Sequence, residues 1–277
     1  MPSEPIRTVL ISPHSDDAAY SVGGAILSGF FPRPLLIITP FTASISGTYI
    51  SGEHDIERVS RLRAAEDDAF ALEVGSRVLR FDLPEATLSS KTGAYFFPLV
   101  VSASLLCGWP PPRNRVEQSI RRIASRTPLT LRSASLLRLA RFEGLRVVLR
   151  ERITHVLDQS PQAILVSPIG LGNNPNHVSL ASLCRSLRKT VPRLYFYEDL
   201  PYAARYSLRE IERYVALFDG RLRPVVVNIE GAMEGKVKNL SVYRSQVGPR
   251  EVERVRANAR RLSSGRLSQE RLWTYPM

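Results

Sequence analysis

The amino-acid sequence predicts an α/β fold with a doubly wound, mostly parallel sheet, helices on both faces and a helical insertion. Short apolar, β-branched runs alternate with longer segments of helical periodicity, a rhythm typical of parallel βαβ units. One segment, from about 89 to 144, interrupts this rhythm. The chain has 277 residues, of which 44% are hydrophobic, so it can bury one large core. We therefore expect a single domain over 1–277.

The elements follow in chain order from the hydrophobic pattern. Short apolar runs predict the strands Thr8–Ile11, Leu35–Thr39, Val78–Phe81, Ala163–Val166, Leu194–Tyr197 and Pro224–Val227. Apolar residues at helical spacing predict the helices Ala18–Phe30, Asp55–Leu72, Leu145–Asp158, Val178–Lys189, Glu230–Tyr243 and Arg250–Leu262. The first helix contains Gly23 and Gly24, which lower its propensity but permit close packing against the sheet or a ligand.

The segment at about 89–144 is interpreted as an insertion between strands of the sheet. It contains Trp109-Pro110-Pro111-Pro112, followed by Arg- and Leu-rich sequence of helical character. Such an insertion could form a lid or a wall on the substrate side. A plain pair of surface helices explains the pattern equally well.

The charge balance of the chain is strongly basic. Lys and Arg number 38 against 26 Asp and Glu, a formal net charge of +12 at pH 7. A positive field favours anionic ligands, although a solvated, arginine-rich surface explains the same composition. No named nucleic-acid module is present, so nucleic acid is not an expected partner. No apolar run is long enough to span a bilayer, and the N-terminal residues do not resemble a signal peptide. We expect a cytoplasmic protein, and a homo-oligomer is compatible with the sequence.

Potential metal ligands follow two of the predicted strands. His14, Asp16 and Asp17 come just after the first strand, and His177 follows the strand Ala163–Val166. If these strands are neighbours in a parallel sheet, both loops open at the same edge. His14, Asp17 and His177 could then converge on one ion.

This ligand set indicates hydrolytic chemistry. Two imidazoles and one carboxylate suit Zn²⁺ and leave a position for water, although Fe²⁺ accepts similar ligands. The metal makes bound water a better nucleophile, and Asp16 would be free to act as its general base. The alternative is that Asp16 or Asp17 only caps the following helix.

A series of motifs spans nearly the whole chain, apart from the segment at 89–144. They are Pro13-His14-Ser15-Asp16-Asp17 with Ser21-Val22-Gly23-Gly24, Arg63-Ala64-Ala65-Glu66, Asn174-Pro175-Asn176-His177, Tyr197-Glu198-Asp199-Leu200-Pro201-Tyr202, Lys236, Tyr243-Arg244-Ser245-Gln246 and Glu270-Arg271-Leu272-Trp273. In their order and content these motifs resemble those of the LmbE/PIG-L family of zinc-dependent N-deacetylases.

The resemblance implies a Rossmann-like fold and removal of an acetyl group from an amino sugar, a glycoconjugate or a natural-product intermediate. The expected partner is thus a small N-acetylated molecule, which the basic charge would allow to be anionic. His14, Asp17 and His177 are implied as zinc ligands and Asp16 as the general base. In this picture the metal polarises the amide carbonyl, and Asp16 passes a proton from water to the departing amine.

The chain departs from the family pattern at three positions. Asn174 stands where the family has a histidine that stabilises the oxyanion; its amide N–H can still donate a hydrogen bond there. Asn176 replaces an Asp, which puts orientation of His177 by a carboxylate in doubt. Ala18 stands where many members have Glu. These changes leave room for weakened activity or a different bond.

Arg63 and Asp199 are predicted to bind substrate. For Arg63 the alternative is a helix ion pair with Glu66, and for Asp199 it is a helix cap. Two other functions remain open: hydrolysis of a different amide, such as a thiol conjugate, and a catalytically weakened protein that binds an anionic ligand.

Overall fold

A computed structural model of the protein describes residues 4–43, 56–84 and 145–276. These residues form a mostly parallel seven-stranded sheet with helices packed on it, which confirms the predicted fold class. The expected insertion at about 89–144 lies outside the described residues, and its role stays a prediction, as does the single domain. In the described ranges no helix is both long and apolar enough to cross a membrane.

The strands and helices lie close to the predicted positions. The strands are β1 Thr8–Ile11, β2 Leu35–Ala43, β3 Arg77–Pro84, β4 Ile164–Pro168, β5 Leu194–Tyr197, β6 Arg223–Asn228 and β7 Gln269–Thr274. The helices are α1 Asp17–Leu27, α2 Ile56–Glu73, α3 145–158, α4 Pro175–Ser186, α5 Leu208–Asp219, α6 Met233–Leu240 and α7 Pro249–Arg261. Strands β1 and β5 have the predicted bounds.

The order of the strands places the site. The sheet runs β3-β2-β1-β4-β5-β7-β6, with β1 parallel to both β2 and β4. Successive strands leave β1 in one direction through β2 and β3, and in the other through β4 and β5. The carboxyl ends of β1 and β4 therefore flank a topological switch point, where open α/β sheets bind ligands. Val9 pairs with Leu165 across this junction, and both are fully buried.

Two elements were not predicted. Strand β7 runs antiparallel to both β5 and β6, and its sequence begins Gln-Glu-Arg, which reads as polar. Its charged residues are buried because distant partners neutralise them: Glu270 accepts a 2.6 Å hydrogen bond from Lys236, and Arg271 pairs with Glu198. Helix α5 carries a capping box between Ser207 and Glu210, a sequence signal that predicts a helix start.

Gly24 allows α1 to pack closely against the second half of the fold. A Cβ at this position would lie 2.6 Å from Ile229 Cδ1 and 2.8 Å from Glu270 Oε1. The backbone N–H groups of Gly24 and Ala25 donate to the Glu270 carboxylate at 3.0 and 2.7 Å. The predicted close approach at this glycine is thus made to the Glu270 side chain and to Ile229.

Candidate metal centre

The loop between β1 and α1 positions the first two metal-ligand candidates. The backbone N–H of His14 donates to Asp17 Oδ2 at 2.8 Å, which folds the loop so that both side chains face the same point. His14 Nδ1 lies 3.0 Å from the same oxygen. Asp17 begins α1 and is buried, whereas the His14 side chain is 15% exposed. Both are therefore held at the carboxyl end of β1.

The third candidate, His177, lies in the first turn of α4 and is fully buried. This helix begins at Pro175, three residues before the predicted start at Val178. The reason is local: Asn174 caps the helix by accepting from Asn176 N–H at 3.0 Å, and proline suits the first helical position. The early start fixes His177 on a rigid element beside β1.

The three side chains meet in a geometry that suits a divalent cation. His14 Nδ1 and His177 Nε2 lie 3.3 Å apart, and they lie 3.0 and 3.2 Å from Asp17 Oδ2. A tetrahedral ion with ligand bonds of about 2.0–2.1 Å requires ligand–ligand separations of about 3.3 Å. Within the described ranges, this trio is the group of His, Cys, Asp and Glu side chains able to hold a metal ion. The donor set, two nitrogens and one carboxylate oxygen, therefore fits zinc-type coordination.

Electrostatics tie the two inner members together. Burial by itself would raise the pKa of Asp17, but His177 and His14 outweigh it and hold the pKa well below its usual range. Burial would lower the pKa of His177, but the carboxylates of Asp17 and Asp199 raise it to about 10. The pocket thus stabilises a positive charge at its centre, whether on an imidazolium or on a bound cation.

Asp199 holds His177 from behind. Its Oδ1 lies 2.7 Å from His177 Nδ1, and its Oδ2 accepts the N–H groups of Gly170 and Leu171 at 2.8 and 2.9 Å. The residue is fully buried. A carboxylate behind a ligating histidine fixes the tautomer and raises ligand basicity. Asp199 therefore positions His177, so the loss of Asp at 176 does not leave that histidine without a carboxylate. Substrate binding by Asp199 stays a prediction.

Asn176 faces the other histidine. Its Nδ2 lies 2.9 Å from His14 Nε2, and its Oδ1 is buried without a hydrogen-bond partner among the described residues. When His14 Nδ1 binds a cation, the proton must lie on Nε2. Turning the Asn176 amide then brings its carbonyl oxygen to that N–H. The amide can therefore form a hydrogen bond with either tautomer of His14, including the one that binds a metal. This is a second feature of the site that suits a bound cation.

Asp16 lies beside the trio but outside it. It occupies the N-cap position of α1 yet makes no side-chain cap hydrogen bond, so helix capping does not account for its carboxylate. Burial and the neighbouring Asp17 charge raise the pKa of Asp16 to about 7, against the opposing effects of His14 and Arg63. A carboxyl group with a pKa near neutrality suits proton transfer.

Arg63 approaches the site from α2. It is buried, and its charge lowers the pKa of Asp16. Its helix neighbour Glu66 accepts the backbone N–H and the hydroxyl of Ser245 at 2.8 and 2.6 Å. The Arg63–Glu66 motif therefore joins the general-base candidate to the loop after α6, and the charge of Arg63 acts on Asp16. Substrate binding by Arg63 stays a prediction.

Asn174 and Tyr202 form a pair next to His177. The Asn174 side chain caps α4 with its oxygen and donates from Nδ2 to the Tyr202 hydroxyl at 3.3 Å. The Tyr202 ring stands edge-on to the His177 ring, with centroids 5.6 Å apart. Burial and the charge of Asp17 raise the pKa of Tyr202 to about 12. The sequence placed Tyr202 in a family-like motif without giving it a role; no local pattern marks its contact with His177.

Comparisons with known proteins bear on this arrangement. No protein-family model matches the chain. The 2'-N-acetylparomamine deacetylase of Streptomyces fradiae is 26% identical over 259 residues, covering 92% of this chain and 78% of that protein. The solved structure of Dbv21, the A40926 pseudoaglycone deacetylase, has a TM-score of 0.63 at 19% identity, covering 99% of this chain and 100% of Dbv21.

A third similar protein is the teicoplanin deacetylase Orf2 in its zinc-inhibited form. Its TM-score is 0.62 at 17% identity, and the match covers 97% of both chains. These structures share the fold, and the Streptomyces protein is a sequence relative. Together they confirm the resemblance to LmbE/PIG-L-type deacetylases that the ordered motifs predict.

Proposed function

We propose that this protein is a divalent-metal-dependent hydrolase that removes the N-acetyl group of an amino sugar within a natural-product intermediate or glycoconjugate. The observation that carries the proposal is the convergence of His14, Asp17 and His177 at the switch point, with Asp16 beside them. The relationship to a protein named for 2'-N-acetylparomamine supports the reaction and the substrate class. A small N-acetylated molecule is the proposed partner, and a cytoplasmic location is proposed with it.

Zinc is the proposed metal, with Fe²⁺ as the alternative that the same ligands accept. The proposal rests on the two nitrogen and one oxygen donors and on their separations of 3.0–3.3 Å. When bound, such a cation polarises an amide carbonyl and lowers the pKa of water. His14, Asp17 and His177 would hold it, and Asp199 would keep Nε2 of His177 directed toward it.

The proton transfers are assigned to Asp16. As a carboxylate, Asp16 takes a proton from the water that attacks the acetyl carbonyl carbon. It then gives a proton to the amide nitrogen as the C–N bond breaks, so that acetate and a free amine are formed. His14 and Arg63 favour the ionised form of Asp16, because their charges oppose the effect of burial on its pKa. Asn174 stands at the position for which the resemblance implies oxyanion stabilisation, and its Nδ2 donates to the Tyr202 hydroxyl.

The test combines metal analysis with acetate release. Purified protein reconstituted with zinc should bind one equivalent and release acetate from N-acetylglucosamine-type or N-acetylparomamine-type substrates. Asp16→Asn should lower kcat about 1,000-fold with unchanged zinc content, because a general base contributes roughly 10²–10⁴-fold. Asp68→Asn, on the exposed side of α2, is the matched control and should retain full activity.

Two results would contradict the proposal. If the protein binds no divalent metal under any reconstitution, the proposed metal-dependent reaction is wrong. If Asp16→Asn hydrolyses the substrate at an unchanged rate, Asp16 is not the general base. Release of a larger acyl group in place of acetate would keep the site but assign it to a different amide, such as a thiol conjugate.

A further inference from the structure

We infer that Tyr202, positioned by Asn174, supplies the hydrogen bond to the carbonyl oxygen on which negative charge develops during hydrolysis. This inference rests on the proposed function, since it concerns the same reaction. The resemblance implies that the residue at position 174 stabilises the oxyanion. The inference assigns that role to Tyr202, which lies on the turn after β5. Three features of the described residues carry it.

The first feature is that Asn174 is committed to local structure. Its oxygen accepts the N–H of Asn176 at 3.0 Å and so caps α4. This contact fixes the orientation of the Asn174 side-chain amide, since the flipped amide would place its NH₂ against the N–H of Asn176. The Nδ2 end consequently points at the Tyr202 oxygen, 3.3 Å away. An amide anchored at both ends cannot swing toward a substrate.

The second feature is the hydroxyl of Tyr202. A phenol oxygen that accepts from Asn174 Nδ2 still has its own hydrogen to donate. In the part of the chain that the structure describes, no acceptor receives that hydrogen. Asn174 therefore turns the hydroxyl so that it is available as a donor. A ligand with a developing negative charge is the acceptor that this arrangement suits.

The third feature is the rigid seat of the ring. Tyr202 stands at 87° to His177, with centroids 5.6 Å apart, so it borders the metal-ligand trio directly. A Cβ on Gly172 would lie only 2.5 Å from Tyr202 Cγ. Gly172 also has φ +85°, a left-handed conformation that favours glycine. Glycine at 172 is thus required for the ring to approach this closely. Such close packing holds the ring in one position, as a preorganised hydrogen-bond donor requires.

The chemistry requires no proton transfer from Tyr202. As water adds to the acetyl carbon, the carbonyl π pair moves onto oxygen, and a hydrogen bond from a neutral hydroxyl stabilises that charge. It returns to the C=O bond when the amine leaves. Removing one such donor lowers kcat by about 10²–10³-fold in other hydrolases. The effect appears in kcat rather than KM, because the hydrogen bond strengthens only in the transition state.

The experiment compares Tyr202→Phe with Tyr195→Phe in zinc-loaded protein. Tyr195 lies on β5, and its ring packs against Phe30 and Phe31, so the variant controls for loss of a tyrosine hydroxyl elsewhere in the fold. Tyr202→Phe should lower kcat about 100-fold with KM and zinc content unchanged. It should also weaken binding of methylphosphonate, a tetrahedral anion, about tenfold by calorimetry. Tyr195→Phe should change neither quantity.

Asn174→Ser separates positioning from direct contact. Serine keeps the helix cap but removes the NH₂ that anchors Tyr202, so kcat should fall about tenfold. In the double variant with Tyr202→Phe, kcat should be no lower than in Tyr202→Phe alone, because Asn174 acts only through the tyrosine. Losses that multiply would mean that Asn174 contacts the oxyanion itself, and the inference would be wrong.

Failure of this inference is distinguishable from failure of the proposed function. If the unaltered protein releases no acetate from any N-acetyl amino sugar, but Tyr202→Phe still weakens methylphosphonate binding, the reaction is misassigned and the role of Tyr202 stands. If kcat and the affinity for methylphosphonate are both the same in Tyr202→Phe as in the unaltered protein, Tyr202 is not the donor, whatever the substrate.

Discussion

The two histidines of the candidate metal centre are supported in different ways. His177 is fully buried in the first turn of a helix, with a carboxylate 2.7 Å from Nδ1. The His14 side chain is 15% exposed, lies in a loop, and has only an amide 2.9 Å from Nε2. One ligand is therefore held by charge and the other by a neutral group.

This difference has a chemical consequence. The Asp199 carboxylate can only accept, so it fixes the proton of His177 on Nδ1 and leaves Nε2 for a metal. The Asn176 amide can donate or accept, and so tolerates both tautomers of His14. We expect His177 to dominate metal affinity and His14 to be the more weakly fixed ligand. Zinc affinities of variants at Asp199 and Asn176 test this inequality.

The largest expected effect is at Asp199. Asp199→Asn removes the charge behind His177, so zinc affinity should fall about 100-fold, the upper end for loss of a group that orients a ligand. Chelator competition measures the affinity. Glu198→Gln is the matched control: the neighbouring side chain faces Arg271 and Trp273 on β7 and should leave zinc affinity unchanged. Equal losses in both variants would mean that the effect is on stability, not on the ligand.

A smaller effect is expected at Asn176. Asn176→Leu removes the partner of His14 Nε2 and should weaken zinc binding about tenfold. Asn176→Asp should restore affinity to at least the original value, because a carboxylate accepts from His14 Nε2–H and disfavours the tautomer that cannot bind metal. If Asn176→Leu lowers zinc affinity as much as Asp199→Asn does, the two histidines are equally well held, and the expected difference between them is wrong.

The sequence predicted the half-site after β1 more fully than the half-site after β4. His14, Asp16 and Asp17 follow closely on the buried strand β1, so the local sequence pattern suffices to place them at its carboxyl end. The roles of Asp199 and Asn176 depend on pairing between strands far apart in sequence, such as Val166 with Tyr195 in neighbouring strands. No spacing rule shows which histidine each one faces.

The same contrast holds for the fold. The predicted strands were apolar runs, which need no distant charged partner to join the sheet, and all of them are present. Strand β7 was missed because Glu270 and Arg271 are buried only by virtue of Lys236 and Glu198, which lie 34 and 73 residues away. Charged residues indicate exposure unless such partners are known. Tertiary pairing, rather than propensity, decides these cases.

The smallest expected effect concerns a buried carboxylate outside the metal-ligand trio. Asp67 accepts from the hydroxyls of Thr39 and Tyr243, and burial raises its pKa to about 6 despite Arg80. Asp17, among histidines, shifts in the opposite direction. The two residues differ because the histidines outweigh the effect of burial on the pKa of Asp17, whereas Arg80 and two hydroxyl donors do not outweigh it at Asp67. Because the folded pKa of Asp67 exceeds the unfolded value, its stabilising contribution is present at low pH and is lost as pH rises through about 6.

Between pH 5.5 and 7 this group should lower the free energy of unfolding by about 1 kcal/mol. Urea denaturation of the unaltered protein and of Asp67→Asn at both pH values measures the difference. Asparagine cannot ionise, so the variant should lack this component, and its stability relative to the unaltered protein should improve by about 1 kcal/mol on going to pH 7. A pH dependence identical in both proteins would mean that Asp67 is already ionised at pH 5.5. Its hydroxyl donors would then compensate burial as effectively as the histidines do for Asp17.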